Sequence, residues 1–381
     1  MKYRRFGRLD WQVSALGFGA MRLPVIDKDQ SKINEPEAMK MIQYAFDNGV
    51  NYIDTAYPYH GGTSEGLVGR VLKNGYRDKV KLATKMPSWV IQTADDFDKY
   101  LNEQFCRLQV DHVDFYLLHG LNKERWPKLR DLEVLSWAEK AISDDRIGHL
   151  GFSFHDEYEV FEEIVDAYDK WALCQIQYNY MDTEYQAGTK GLKYAAEKGL
   201  AVVIMEPIRG GQLAKKPPEG VAKLWDSASD SRSPSEWALQ WVWNQPEVST
   251  VLSGMSKMDH VIENVAAADR SGSNTLTGDE LSLITRVQEE FRKRSSIPCT
   301  DCKYCMPCPN NVNIPGIFGL YNDAMIYGDV ARVKFLYGIR IPEDERAEHC
   351  EECKECEELC PQEIDISEWL KKADELLGQH G

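Results

Sequence analysis

Eight short apolar runs recur through the first 270 residues, and amphipathic stretches of helical period lie between them. The runs are 13–18, 50–53, 80–83, 113–118, 147–152, 172–176, 200–205 and 248–252. Helical patterns lie at 36–47, 64–73, 94–108, 129–142 and 186–198. Strands that alternate with helices argue for parallel pairing with helical crossovers. Eight such units predict a TIM-type (β/α)8 barrel, which needs about 250 residues. An open, doubly wound sheet is the competing arrangement, but no Gly-x-Gly-x-x-Gly follows the first strand to support it.

Residues 3–9 and 12–14 read as a small hairpin capping the barrel bottom. The polar segment SGSNTLTGDE (271–280) reads as the loop after the last barrel helix, and 281–293 as a further helix packed outside. Near residue 295 the composition shifts to cysteine, proline and acid. Two domains are therefore expected, 1–294 and 295–381.

Eight of the ten cysteines sit in two tight runs. The first is Cys299-x-x-Cys302-x-x-Cys305-x-x-Cys308-Pro, the second Cys350-x-x-Cys353-x-x-Cys356-x-x-x-Cys360-Pro. Such spacing converges thiolates on metal. The second run fits the bacterial ferredoxin pattern in full; the first is one residue short before its last cysteine. In two-cluster folds the fourth cysteine of each run ligates the other cluster. This predicts two 4Fe–4S clusters, one on Cys299, Cys302, Cys305 and Cys360, the other on Cys350, Cys353, Cys356 and Cys308. Two zinc sites would use the same thiolates, but four cysteines per run ending in Cys-Pro favour iron–sulfur. The 41 residues between the runs carry helical periodicity at 317–325 and 330–337. A small, mostly α-helical ferredoxin-like domain is expected. Glu351, Glu352, Glu355, Glu357 and Glu358 would lower the potential of the second cluster. Cys106 and Cys174 lie in a helix and a strand and are assigned no chemistry.

The formal net charge of −16 disfavours nucleic acid and anionic lipid as partners. The opening MKYRRFGRLD has no apolar export segment, and no run of eighteen apolar residues marks a membrane span. With cysteines held for metal, a reducing cytoplasm is expected.

Asp54, Tyr59, Lys85 and His119 fall at or just after the ends of the second, third and fourth strands, where barrel active sites form. Reducing a carbonyl by hydride requires a proton for the developing alkoxide. A phenol can give it, although its ordinary pKa is about 10. The ammonium of Lys85 would lower that value, Asp54 would hold Lys85 charged, and His119 would orient the carbonyl oxygen.

The segments NYIDTAYPYHGGTSEGLVGRVL (51–72), KLATK (81–85), DFYLLHG (114–120) and IGHLGFSFHD (147–156) resemble the aldo-keto reductases, in the same order along the chain. That resemblance implies an NADP(H)-dependent oxidoreductase, with NAD(H) as the other option, acting on a small carbonyl or alcohol. It selects Tyr59 over Tyr57 as the general acid. It places Ser153 and Gln177 at the nicotinamide carboxamide and Tyr178 on the nicotinamide ring. It makes 206–213 (EPIRGGQL) a pyrophosphate-covering loop, with Gly210 and Gly211 allowing close backbone approach. Gly254, Ser256 and Lys257 follow the eighth strand, ahead of Glu263 and Asn264, where barrels often hold phosphate. Lys257 would meet an adenosine 2′-phosphate. Many family members have Ser-Asn after the fifth strand, whereas this chain has Ser153-Phe154-His155, so an amide partner is missing. Either His155 and Asp156 substitute for that amide, or Asp156 caps a helix.

Two accounts of function follow. In the first, hydride chemistry at the barrel is coupled to one-electron transfer through the clusters, with a ferredoxin or another redox protein as partner. In the second, the barrel is an ordinary carbonyl reductase and the cluster domain is structural or a docking element.

Overall fold

The computed structural model describes residues 1–73, 75–299, 303–360 and 362–378. Cys302, one of the expected ligands, lies outside the described residues. The chain divides into two compact units. One comprises Met1–Pro217 with Asp230–Glu280, the other Pro218–Ser229 with Leu281–Gly381.

In the first unit, β1 (Tyr3–Arg5) and β2 (Gln12–Ser14) pair antiparallel as a hairpin. The barrel strands are β3 (Leu16–Gly19), β4 (Tyr52–Asp54), β5 (Lys81–Met86), β6 (Val113–Leu121), β7 (Ile147–Phe154), β8 (Leu173–Gln177), β9 (Ala201–Met205) and β10 (Val248–Ser253). They run parallel in sequence order, and β10 pairs back onto β3 to close the cylinder. Each corresponds to one of the eight apolar runs. Strands covered on both faces read as continuous apolar runs rather than alternating ones, which is why they were visible. The hairpin plugs the end of the barrel where the strands begin. Phe6 is fully buried, with its ring 4.9 Å from Phe115 and 5.9 Å from Tyr52. Arg8 donates to the carbonyls of Asp169 and Lys198, in the turns leading into β8 and β9. Between them Gly7 adopts φ 56°, and a Cβ there would stand 2.4 Å from the Ala201 nitrogen.

The helices are α1 (Glu35–Asp47), α2 (Ser64–Val71), α3 (Asp95–Leu108), α4 (Arg125–Asp131), α5 (Val134–Ser143), α6 (Tyr158–Asp166), α7 (Gly188–Glu197), α8 (Glu219–Asp226), α9 (Pro234–Trp243), α10 (Met258–Asp269) and α11 (Gly278–Arg292). Helices α2 and α3 touch backbone to backbone, because a Cβ on Gly69 would lie 2.1 Å from the Leu108 carbonyl oxygen. The single helix expected over 129–142 is instead two. Glu133 takes a left-handed conformation (φ 60°) and separates α4 from α5. The break lets Trp126 and Leu129 on α4 and Val134, Ala138 and Ala141 on α5 all become buried, which one straight helix would not align.

The second unit continues with α12 (Ile314–Tyr327), α13 (Val330–Arg340), α14 (Glu355–Glu358) and α15 (Ile366–Leu377). Ile317, Phe318, Val333, Tyr337 and Leu370 form its core. Asn313 and Asp329 cap α12 and α13 by accepting the backbone N–H groups of Gly316 and Arg332. The buried Asn322 amide accepts from the Ser296 and Ile297 nitrogens and donates to the Ile297 carbonyl, which fixes the segment leading into the first cysteine run. Among the described residues no helix is long and apolar enough to cross a membrane.

Candidate active site

Asp54 ends β4, and Tyr59 opens the short turn of helix that follows, Tyr59–Gly62. Lys85 stands in β5 and His119 in β6, two residues inside the strand rather than beyond it. The β6–β7 register shifts between Leu118 and Leu121, and such an irregularity re-aims a side chain.

The four expected residues are brought together. Lys85 Nζ donates to Asp54 Oδ1 at 2.5 Å, to the Thr55 carbonyl at 2.9 Å and to Tyr59 Oη at 3.2 Å. An ammonium has three protons, and here all three have acceptors. Lys85 is therefore charged and its pair with Asp54 ionic. Burial works to lower the lysine's pKa, but the carboxylate and the phenol oxygen outweigh it and leave it raised. Asp54 is only 2% exposed; burial pushes its carboxyl up, against the pull of Lys85 and of the Gln175 amide. Because Tyr59 Oη accepts from the ammonium, its own proton is left to be donated elsewhere.

One electrostatic expectation is corrected. Lys85 does pull the Tyr59 phenol downward, but burial pushes it up by more, so the phenol lies above its ordinary value. The tyrosine is a proton holder at neutral pH, as a general acid must be.

The His119 ring meets Tyr59 edge-on at 6.0 Å and Trp89 at 5.3 Å. Burial first, then the charges of Lys85, His155 and Arg125, drives its pKa well below the usual histidine value. It is a neutral imidazole, and its Nδ1 is buried with no hydrogen-bond partner among the described residues. Trp89 is 38% exposed beside it, whereas Trp126 is fully buried.

A cavity of about 370 Å³ lies among the loops after β9 and β10. Gly210, Gly211, Gly254, Ser256, Glu263 and Asn264 all line it. Gly210 and Gly211 adopt φ 63° and 94°, conformations that side chains resist. Asn264 donates to Ser253 Oγ at 3.0 Å, and Glu263 accepts from the hydroxyls of Ser233 and Ser235. Sequence reasoning missed Arg22, which lines this cavity and pairs with Glu206 at 2.7 Å, joining the loops after β3 and β9. The volume falls in the range of small-molecule sites, and loops after the seventh and eighth barrel strands commonly hold phosphate. A dinucleotide fits this donor set.

Other expected cofactor residues are placed differently. Lys257 is exposed at the start of α10 and is not among the side chains lining the cavity. Ser153 is buried in β7 and accepts the Gly120 N–H at 2.7 Å, leaving its own proton to donate. Gln177 ends β8 and donates to Asp182 at 3.1 Å. Tyr178 is 2% exposed. Its ring lies 5.2 Å from Trp241. Phe154 is core, 5.2 Å from Phe161. Asp156 accepts the N–H groups of Glu157 and Lys123, tying two loops together, while Glu157 stands at the cap position.

In the second unit Cys299, Cys305 and Cys360 line one cavity with Ile314, Phe318 and Ile366. Cys308, by contrast, lies near Cys350 and Cys356. Burial first, then the Cys308 and Cys353 thiols, raise the pKa of Cys350, and burial with the nearby Cys350 and Cys308 thiols pushes Cys356 up to about 12. Cys353 is also within electrostatic reach of Cys350. The fourth cysteine of each run thus sits with the other run. Among the described residues no three His, Cys, Asp or Glu side chains close on a single-ion position. A four-iron cubane takes one thiolate at each of its four irons, which alternate with sulfides at the corners, so its ligands ring a volume instead of meeting at a point. The described thiols of each group, Cys299, Cys305 and Cys360 in one and Cys308, Cys350, Cys353 and Cys356 in the other, are the donor type such a cage takes.

Fold and site together define an oxidoreductase barrel organised around a lysine-paired phenol. The profile of the aldo/keto reductase family matches residues 15–289, and the chain belongs to that family. The profile of a 4Fe-4S dicluster domain matches residues 298–364. Among curated relatives, L-galactose dehydrogenase of Arabidopsis thaliana is 27% identical over 311 residues, covering 77% of this chain and 96% of its own length. The 6-dehydroglucose reductase of Novosphingobium aromaticivorans is 25% identical over 283 residues, covering 70% and 90%. Among solved structures, the holo form of an aldo-keto reductase from Bacillus halodurans superposes with a TM-score of 0.63 at 28% identity, covering 75% of this chain and 96% of that one.

Proposed function

We propose that residues 1–294 form an NADP(H)-dependent carbonyl reductase, able to run in reverse as an alcohol dehydrogenase. Residues 295–381 would carry two 4Fe–4S clusters that exchange electrons with the barrel reaction and with a redox protein such as a ferredoxin. The observation that carries the barrel reading is the threefold bonding of Lys85 Nζ, which leaves the Tyr59 proton free to be donated.

A nicotinamide bound at the barrel mouth would supply hydride to the carbonyl carbon. Tyr59 gives its proton to the carbonyl oxygen as the C=O π bond breaks, and solvent restores that proton. Lys85 steadies the phenolate left behind, and Asp54 keeps Lys85 charged. His119, neutral, orients the oxygen. Gly210, Gly211, Gly254, Ser256, Glu263 and Asn264 would hold the dinucleotide, with Ser153 and Gln177 at its carboxamide. Cys299, Cys302, Cys305 and Cys360 would hold one cluster, and Cys350, Cys353, Cys356 and Cys308 the other. The clusters would supply one-electron steps.

NADPH-dependent reduction of para-nitrobenzaldehyde tests the barrel chemistry. Tyr59→Phe is expected to lower turnover about 10²–10⁴-fold while NADPH binding persists. Unchanged turnover in that variant would sink the reading. Iron and sulfide analysis of anaerobically purified protein tests the second half, and zinc in place of iron would refute it.

A further inference from the structure

Beneath the catalytic pair lies a buried polar cluster that no catalytic step above uses. Glu65 is 0% exposed, a carboxylate enclosed in the protein near the start of α2. Its Oε1 accepts from Thr84 Oγ1 at 2.7 Å and from Gln104 Nε2 at 2.6 Å. Gln104, itself fully buried on α3, also donates to the main-chain carbonyl of Lys85 at 3.0 Å. Its Oε1 accepts from the Tyr116 hydroxyl at 2.7 Å. The amide orientation is forced. One end faces a carboxylate and a carbonyl, which only accept; the other faces a hydroxyl that donates. Arg107 approaches the second Glu65 oxygen at 3.4 Å.

The neighbouring residue works on the opposite side of the same lysine. Ser64 Oγ lies 2.9 Å from Thr55 Oγ1 and donates to the Ala20 carbonyl at 3.0 Å. Thr55 supplies the carbonyl that receives Lys85 Nζ. The first turn of α2 therefore grips Lys85 at both ends: its main chain through Glu65 and Gln104, its ammonium through Ser64 and Thr55.

We infer that Gln104, together with Glu65 and Thr84, is a positioning device for Lys85, holding the ammonium against the Tyr59 oxygen. The inference rests on the reading of Tyr59 as the proton donor. Burying a carboxylate is costly even with Arg107 at 3.4 Å, and a core that needed only to be filled would place an apolar side chain there. What the network supplies instead is fixed geometry at one backbone carbonyl. A shift of about 1 Å at a reacting group can cost about 10²-fold in rate.

The test compares the full-length protein with Gln104→Leu and with the gentler Thr84→Val. The Tyr59 phenol is titrated by carbon-13 NMR of tyrosine-labelled protein, its resonance assigned by loss in Tyr59→Phe. Turnover of NADPH with para-nitrobenzaldehyde is measured alongside. With the ammonium less well held, the Tyr59 midpoint is expected to rise, by about one unit in Gln104→Leu and less in Thr84→Val. Turnover is expected to fall about 10–100-fold and several-fold respectively, with the KM for NADPH unchanged. A purely structural role would lower thermal stability and leave the Tyr59 titration where it was. An unmoved midpoint in whichever variant folds overturns the inference. Tyr59→Phe with undiminished turnover would instead overturn the proton-donor reading beneath it, so the two failures are separable.

Discussion

Replacing Lys85 by methionine removes a charge while nearly keeping the volume. The Lys85–Asp54 pair is 2.5 Å long, and the two side chains are 1% and 3% exposed. Breaking such a pair strands a buried carboxylate, which costs about 3–5 kcal/mol. For a domain of this size that corresponds to a drop of about 10 °C in melting temperature. The sign of the pH dependence follows. With Lys85 gone, nothing of comparable strength opposes the burial that already raises Asp54, so its carboxyl climbs further. A raised folded pKa contributes stability that is present below the unfolded value, about 3.9, and is lost as pH rises through the folded one. The deficit of Lys85→Met should therefore be larger at about pH 8 than at about pH 5. Adding Asp54→Asn removes the stranded charge and should recover most of the stability. It should not recover carbonyl reduction, because the Tyr59 oxygen still lacks its ammonium. Thermal unfolding of the single and double variants across pH, with NADPH turnover, reads all of this. A single variant as stable as the parent, or a double variant that regains turnover, would refute the reasoning.

Two further outcomes follow from the same geometry. His119 is held neutral with its pKa well below the ordinary value, so kcat should show no histidine limb between about pH 6 and 8. An acid limb near pH 6.5 that disappears in His119→Asn would contradict this. Gly69→Ala would push a methyl against the Leu108 carbonyl and should destabilise the barrel by about 1–3 kcal/mol, read as a lower melting temperature; an unaltered midpoint would mean the α2–α3 contact is slack.

The barrel was legible because its strands are covered on both faces and read as unbroken apolar runs. The grouping of Asp54, Tyr59, Lys85 and His119 was legible because barrel strands bring their C-terminal ends to one mouth. Other features depend on balances that a sequence does not display. Whether Lys85 or burial wins at Tyr59 is decided by how much water the fold excludes there. The split at Glu133 carries neither glycine nor proline. The Gln104 network did leave a trace. Phe97, Leu101, Gln104 and Leu108 fall on one buried stripe of α3, so a polar side chain stood where the helical period calls for an apolar one. In the second unit, cysteine spacing assigned Cys360 to the first run and Cys308 to the second; Cys360 lines a cavity with Cys299 and Cys305, and Cys308 lies within electrostatic reach of Cys350 and Cys356.

The measurement that bears most directly on the account is anaerobic addition of NADPH to the cluster-loaded, full-length protein, followed by visible absorbance and electron paramagnetic resonance. Coupling of hydride chemistry to the iron–sulfur domain predicts that, with no carbonyl present to take the hydride, each NADPH oxidised to NADP+ and a proton passes its two electrons to the clusters, one to each, so that the visible absorbance bleaches and a reduced-cluster signal grows. Clusters that remain oxidised under excess NADPH, in protein that reduces para-nitrobenzaldehyde with the same cofactor, would contradict it.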